Sequence, residues 1–175
     1  INKSIFNNPD QLMKNIYLIT KHLRRKEHRT LEIVRSTKNK LYVTYQDQYW
    51  RLFKYIEGRI FEKVDNIKIV SESAKELGKF HRNLHDFSIH NLNEIIPDFH
   101  NTIVIFKEFQ NALKSSLEDT SKCIEQINYI LEKEENLHII SNLLANKKIP
   151  LRLCHNDPKI NNFLFDEKLN SICLI

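Results

Sequence analysis

Glycine is almost missing from this chain. Two of its 175 residues are glycine, Gly58 and Gly78, against an average usage of about 7%. Neither a GxGxxG nor a GxxxxGK[ST] phosphate loop can be drawn from two glycines twenty positions apart. Phosphate chemistry here needs another device, or a part outside this stretch. Long apolar runs are missing too. None exceeds about five residues, far short of the ~20 a membrane-spanning helix needs. The first 30 residues carry charged and polar groups throughout, with no signal-peptide pattern. Cysteine is sparse and scattered. Cys123, Cys154 and Cys173 form no CxxC pair and cannot all pair with one another, so a reduced, cytoplasmic setting is expected.

What is present reads as a folded chain. Hydrophobic residues make up 41% and charged residues 28%, the balance of a globular protein. The net charge is +5, from 27 basic and 22 acidic residues. The densest basic stretch, Lys21 to Arg29, reads as the solvated end of a helix, with a nucleic-acid patch as the lesser alternative. Neither nucleic acid nor a membrane is an expected partner; the oligomeric state stays open. The chain begins at Ile1, has its only methionine at Met13, and stops in the apolar run Ser171–Ile175. These ends predict a piece of a longer protein, truncated on both sides.

The elements follow from local pattern. Asn8-Pro9-Asp10 predicts a helix start, with Asn8 as cap and Asp10 facing the positive dipole end. Leu12, Ile16, Ile19 and Leu23 then recur at helical spacing. Leu31–Val34, Leu41–Tyr45 and Tyr49–Ile56 read as three strands of an antiparallel meander, with Trp50 expected in the core. Glu57-Gly58 breaks the pattern and marks a lobe boundary. The expected organisation is a partial N-lobe over 1–56 and a partial helical C-lobe over 57–175. Val70, Ala74, Leu77, His81 and Leu84 predict a helix starting near Ser71 or Ser73, with Ser73 and Glu76 at capping-box spacing. Further helices are expected over Ile103–Leu113, over Glu118–Glu135 (Ser116 and Asp119 at capping-box spacing) and over Leu137–Ala145. A short strand Leu151–Cys154 and a hairpin of Phe163–Phe165 with Ser171–Ile175 close the chain. Gly78 is expected where another element packs close. The fold class is α+β.

The chemistry concentrates between that strand and that hairpin. Cys154-His-Asn-Asp-Pro-Lys-Ile-Asn-Asn-Phe163 contains His155-x-Asp157-x4-Asn162. A loop of this kind can aim a carboxylate at a substrate hydroxyl while an asparagine oxygen ligates Mg²⁺, the catalytic-loop arrangement of kinase-type phosphoryl transfer. Asp157 is the candidate base or hydroxyl-orienting residue; its plainer reading is a turn aspartate. Asn162 is the candidate metal ligand, with Asn161 as its near-twin. His155 reads as a structural prop of the loop. Lys159 is a point charge for phosphate or a solvated lysine. His81 and His85 have a metal-ligand spacing but no third partner in the sequence. A Cys154–His155 nucleophile is disfavoured, because adjacent strand residues point to opposite faces.

The run His155-Asn-Asp-Pro-Lys-Ile-Asn-Asn-Phe-Leu-Phe-Asp166 resembles the signature of the aminoglycoside phosphotransferase/choline kinase superfamily, a branch of the protein-kinase-like fold. Within it the chain is most similar to the N-acetylhexosamine 1-kinase-like group, whose loop commonly reads HxDxKxNNxxFD. Tyr49–Gly58 resembles that group's strand approaching the hinge, Ile96–Thr102 one of its loops, and Ile1–Pro9 the segment after the third N-lobe strand. The resemblance implies ATP and Mg²⁺ as cofactors, and Asp157, His155 and Lys159 in the catalytic loop. It implies Phe53, Lys54, Tyr55 and Ile56 at the adenine edge, and Asp98 and His100 near the acceptor. A plain turn after Pro97 is the favoured reading of Asp98 and His100. The resemblance also implies a phosphate-covering loop before Ile1 and a second metal-ligating aspartate after Ile175. The family's lysine–glutamate pair is not evident, since the first helix holds no glutamate. The expected function is phosphorylation of an amino-sugar hydroxyl. Aminoglycoside or choline phosphorylation is one alternative, and an inactive, binding-only piece is another.

Overall fold

A computed structural model of the chain describes residues 1–116 and 119–175. It divides into two compact units, residues 1–95 with 152–175, and residues 96–151. Glu57-Gly58 lies inside the first.

The first unit opens with helix α1, Pro9–Arg25. Its start is built as expected: the Asn8 side chain accepts from Gln11 N at 3.0 Å and Pro9 occupies the first position. Met13 and Leu23 are its most deeply buried residues. The basic stretch is indeed a helix end: Lys26 N and His28 N both donate to Leu23 O, and Glu27 turns the chain with φ 57°.

Four short strands follow, β1 (Ile33–Val34), β2 (Val43–Tyr45), β3 (Gln48–Trp50) and β4 (Leu52–Phe53). They form only part of the expected meander: the second and third strands pair as expected, but the first does not join them. β1 pairs with β4 and β2 with β3, both antiparallel. Gln46 and Asp47 both take positive φ, the geometry of a tight two-residue hairpin turn. That turn folds β3 straight back onto β2. The Ser36–Lys40 turn closes on itself through Ser36 N to Lys40 O at 3.0 Å, so β1 passes β2 and meets β4. The single strand expected over Tyr49–Ile56 breaks at Arg51. Trp50 is not core: it is 57% exposed, opposite Val43 in a two-stranded ladder.

Gly58 and Gly78 part company. A Cβ on Gly58 would stand 3.1 Å from Leu164 Cδ2 and from Ile172 Cδ1. Glycine there lets the backbone approach the hairpin, where Arg59 exchanges hydrogen bonds of 2.8 and 3.0 Å with Phe165. Gly78 has nothing within 4 Å of the same position, contrary to the expected close packing.

Helix α2, Ile67–Leu84, starts earlier than expected. Asn66 is the cap and accepts from Lys68 N at 2.9 Å. Ser73 lies inside the helix, its hydroxyl folded back onto Ile69 O at 2.8 Å. Glu76 is buried instead of reaching back to a cap. The buried face is Ile69, Glu76, Phe80 and Leu84, while Val70, Ala74 and His81 are exposed.

The terminal hairpin forms as expected from β5 (Phe163–Phe165) and β6 (Ser171–Leu174). Asp166 closes its turn by accepting from Asn170 N and Nδ2, each at 2.8 Å. Phe163, Phe165 and Leu174 join Leu23, Ile69, Phe80 and Leu84 in one core. Leu151–Cys154 has no ladder partner among the described residues, so the expected strand does not form. Leu151 is exposed, and only Leu153 packs on the core.

In the second unit, helix α3 spans Thr102–Ser115 with Asn101 as cap, α4 spans Ile124–Glu132 and α5 spans Ile139–Ala145. The long helix expected over Glu118–Glu135 is instead two 3-10 turns around α4; its start at Glu118 lies outside the described residues. Asp119 accepts from Ser121 N at 2.9 Å. The architecture is α+β with small antiparallel sheets. No helix among the described residues is long and apolar enough to cross a membrane.

Candidate active site

The loop from His155 to Asn162 hangs between the core and β5. Its first anchor is His155. The ring accepts from Asp157 N–H through Nδ1 at 3.3 Å, so Nε2 carries the proton and donates to Ile175 O at 3.0 Å. Phe80 of α2 meets the ring edge-on at a centroid distance of 5.8 Å. Both ring nitrogens are thus committed to holding the loop against the end of β6.

The next turn is set by Asn156 and Pro158. Asn156 sits at φ 68°, a left-handed conformation that asparagine tolerates. Lys159 N–H then returns to Asp157 O at 2.9 Å, and a 3-10 turn over Ile160–Asn162 brings Asn162 N–H to Lys159 O at 2.9 Å. Asn162 closes the loop. Its Nδ2 donates to Asp157 O at 2.7 Å and to Asp157 Oδ2 at 3.2 Å. Its own carbonyl accepts from Ile175 N at 2.9 Å. Asp157 and Asn162 are therefore brought together, five residues apart, on a loop pinned at both ends.

Lys159 Nζ stands 3.4 Å from Asp157 Oδ2, with both side chains more than half exposed. Such a pair is worth little to stability, so the ammonium is available to another anion. Asn161 is turned the other way. Its Nδ2 donates to Glu62 Oε2 at 3.1 Å, while its buried Oδ1 has no hydrogen-bond partner.

The donor set suits a hard cation. The Asn162 amide nitrogen is spent on Asp157, which leaves Oδ1 as its acceptor beside a carboxylate. Two oxygens do not make a cage, and among the described residues no group of three or more His, Cys, Asp or Glu could hold a metal. Mg²⁺ commonly takes one or two side-chain oxygens, with phosphate and water completing its shell, so these residues fit it. His81 and His85 join no such group, and His85 Nδ1 lies 2.7 Å from Arg82 O.

Of the four adenine-edge residues, the first two are committed elsewhere. Phe53 pairs with Ile33 in the ladder. Lys54 N donates to Glu32 O at 2.8 Å and Lys54 Nζ meets Glu32 Oε1 at 2.7 Å. Beyond them Tyr55 is 87% exposed, and the main chain of Tyr55 and Ile56 makes no hydrogen bond with another described residue. A cavity of about 730 Å³ opens there, lined by Tyr55, Glu57, Gly58, Phe165 and Ile172 among others. Asp157 and Asn162 are not in its lining.

Asp98 and His100 belong to the second unit and are held locally. Both take positive φ. Asp98 Oδ1 accepts from Asn101 Nδ2 at 2.8 Å, and the His100 ring lies 4.0 Å from that of Phe99. Cys173 lies behind the loop, buried in β6, and burial pushes its thiol up to about 11. It stays protonated and is no nucleophile.

Two participants were not legible as site residues. Glu62 reaches Asn161 across 99 positions, and no local pattern marks it. Gly58 read only as part of a lobe boundary, not as the point of closest approach to Leu164 and Ile172.

Residues 14–175 match a family model described as the phosphotransferase enzyme family, APH. The match runs from within α1 through the Tyr55–Gly58 segment, both compact units, the pinned loop and the terminal hairpin. The α+β arrangement of helices and small antiparallel sheets accords with a kinase-like fold. With nearly its whole length matched, the chain belongs to the phosphotransferase enzyme family.

Proposed function

We propose that this chain forms the catalytic-loop and hinge portion of an ATP- and Mg²⁺-dependent kinase. It transfers phosphate to a hydroxyl of an amino sugar, in the manner of N-acetylhexosamine 1-kinases, and works in the cytoplasm. The observation that carries the reading is the bond pair from Asn162 Nδ2 to Asp157 O and Oδ2. It fixes the Asp157 carboxylate and the Asn162 amide against each other on a loop hydrogen-bonded at both ends.

Each residue then has a task. Asp157 orients the acceptor hydroxyl and takes its proton. Asn162, through Oδ1, would hold Mg²⁺, which neutralises phosphate charge when bound. Lys159, half-exposed beside Asp157, meets phosphate as a point charge. His155 positions the loop and transfers no proton, because both its nitrogens are bonded. Tyr55 and Ile56 offer main-chain groups to the adenine edge beside the 730 Å³ cavity. The amino-sugar assignment rests on the HxDxKxNNxxFD pattern of the loop.

The test is nucleotide consumption by the protein with N-acetylglucosamine, N-acetylgalactosamine, choline and kanamycin as acceptors. Turnover with an N-acetylhexosamine alone supports the reading in full. Turnover with kanamycin or choline replaces the acceptor and keeps the chemistry. ATP binding with no turnover on any acceptor moves the chain to a binding role.

A further inference from the structure

We propose that Glu62 is a positioning residue that sets the geometry of Asn162 through Asn161, coupling the segment after the hinge to the metal-binding turn. The inference rests on the proposed role of Asn162 as the Mg²⁺ ligand.

The segment from Arg59 to Glu62 is tied to the loop and hairpin three times. Arg59 exchanges two main-chain hydrogen bonds with Phe165, at 2.8 and 3.0 Å. The Phe61 ring stands edge-on to Phe165 at 5.4 Å. Glu62 Oε2 accepts from Asn161 Nδ2 at 3.1 Å. The first two contacts fix β5. The third acts on the 3-10 turn Ile160–Asn162 that presents Asn162.

A single 3-10 turn, closed by Asn162 N to Lys159 O and Phe163 N to Ile160 O, has little cooperativity of its own. Asn161 is its middle residue. Its Oδ1 is buried without a partner, so Glu62 is the one side chain among the described residues that satisfies this amide. A carboxylate acceptor makes a stronger bond than a neutral one. Loss of Glu62 therefore leaves the amide with no protein partner for Nδ2 and a buried, unpaired Oδ1. The amide is then driven to reorient, and the peptide that carries Asn162 turns with it. Glu62 itself is exposed, so its contribution to the core is small.

The experiment uses the ¹⁵N-labelled chain with Glu62→Ala and Glu62→Gln. Exchange of the Asn162 main-chain N–H with solvent reports the turn. Paramagnetic broadening of Asn162 by MnCl₂, a stand-in for Mg²⁺, reports the metal site. In Glu62→Ala, Asn162 exchange should rise roughly five- to tenfold, and the Mn²⁺ needed for half-broadening should rise by a similar factor. Glu62→Gln keeps an acceptor oxygen and should stay within about twofold of the parent. The midpoint of urea unfolding should hold in both. Unchanged Asn162 exchange in Glu62→Ala overturns the inference, as does faster exchange spread evenly over the chain with a lowered midpoint. If Mn²⁺ never broadens Asn162 in the parent chain, the metal assignment falls, and the exchange data still decide the role of Glu62.

Discussion

His155 and Ile175 hold the two ends of the candidate active site together: the imidazole Nε2 donates to the Ile175 carbonyl at 3.0 Å across 20 residues. The same ring accepts from Asp157 N–H. One side chain thus fixes both the catalytic loop and the end of β6. Replacing His155 by Ala removes both bonds and the edge contact with Phe80. Two hydrogen bonds and part of a packed ring are worth about 2–3 kcal/mol together. Urea unfolding should show that loss. His155→Gln can restore one bond and should recover part of it, whereas an unchanged unfolding midpoint in His155→Ala would refute the anchoring role.

Asp157 and Asn162 separate by what each loses. Asp157→Ala removes the hydroxyl-orienting carboxylate, and turnover should drop by at least ~10²-fold with nucleotide affinity little changed. Asn162→Ala also releases the loop, because Asn162 Nδ2 bonds Asp157 O and Oδ2. It should lose turnover and stability together. Steady-state kinetics with urea unfolding resolves the two. Parental rates in Asp157→Ala contradict its assignment.

Much of this was legible where the determinants are local. Asn8-Pro9-Asp10 capped α1 as read, and His155-x-Asp157-x4-Asn162 fell on a single loop before a hairpin. What failed was set by distant partners. The buried face of α2 includes Glu76, a charged residue that periodicity assigns to solvent. It is inside because His28, 48 positions earlier in the chain, lies against it at 3.4 Å. The reading therefore slid by one residue to Val70 and Ala74. The strand order held only in part: β2 and β3 pair across Gln46-Asp47 as a meander requires, but the third strand breaks at Arg51 and its second half, β4, pairs with β1. Trp50 was misplaced because the β2–β3 ladder has only two strands and leaves it 57% exposed. Glu62 carries no local mark at all.

The two glycines give opposite predictions. Gly58→Ala forces a Cβ to 3.1 Å from Leu164 Cδ2 and Ile172 Cδ1. Overpacking of this kind costs about 1–3 kcal/mol. Ile172→Val removes the Cδ1 atom and should recover part of the loss in the double variant. Gly78→Ala meets open space on the exposed side of α2. It should stabilise by about 0.5–1 kcal/mol through helix propensity alone. Thermal melts of the two single variants should therefore shift in opposite directions. A shared direction overturns the packing assignment.

The buried His28–Glu76 contact sets the response to pH. Both side chains are 4% exposed, 3.4 Å apart and not aligned as a hydrogen bond. Burial holds the Glu76 carboxyl above its ordinary range, partly offset by Lys79, and burial holds the His28 imidazole below its own. The raised Glu76 contributes stability below its unfolded value of about 4.3 and loses it as pH rises through the folded value. The lowered His28 contributes stability above about 6.5 and loses it as pH falls through its folded value. The two slopes oppose each other across mildly acidic pH. Glu76→Gln removes only the first. At pH 7 the variant should be more stable than the parent, and the gap should close on titration below about 4.3. Urea unfolding at pH 4 and pH 7 measures this. A gap that is constant with pH means that Glu76 titrates in the folded chain as it does in water, and that its burial beside His28 is not felt by the proton.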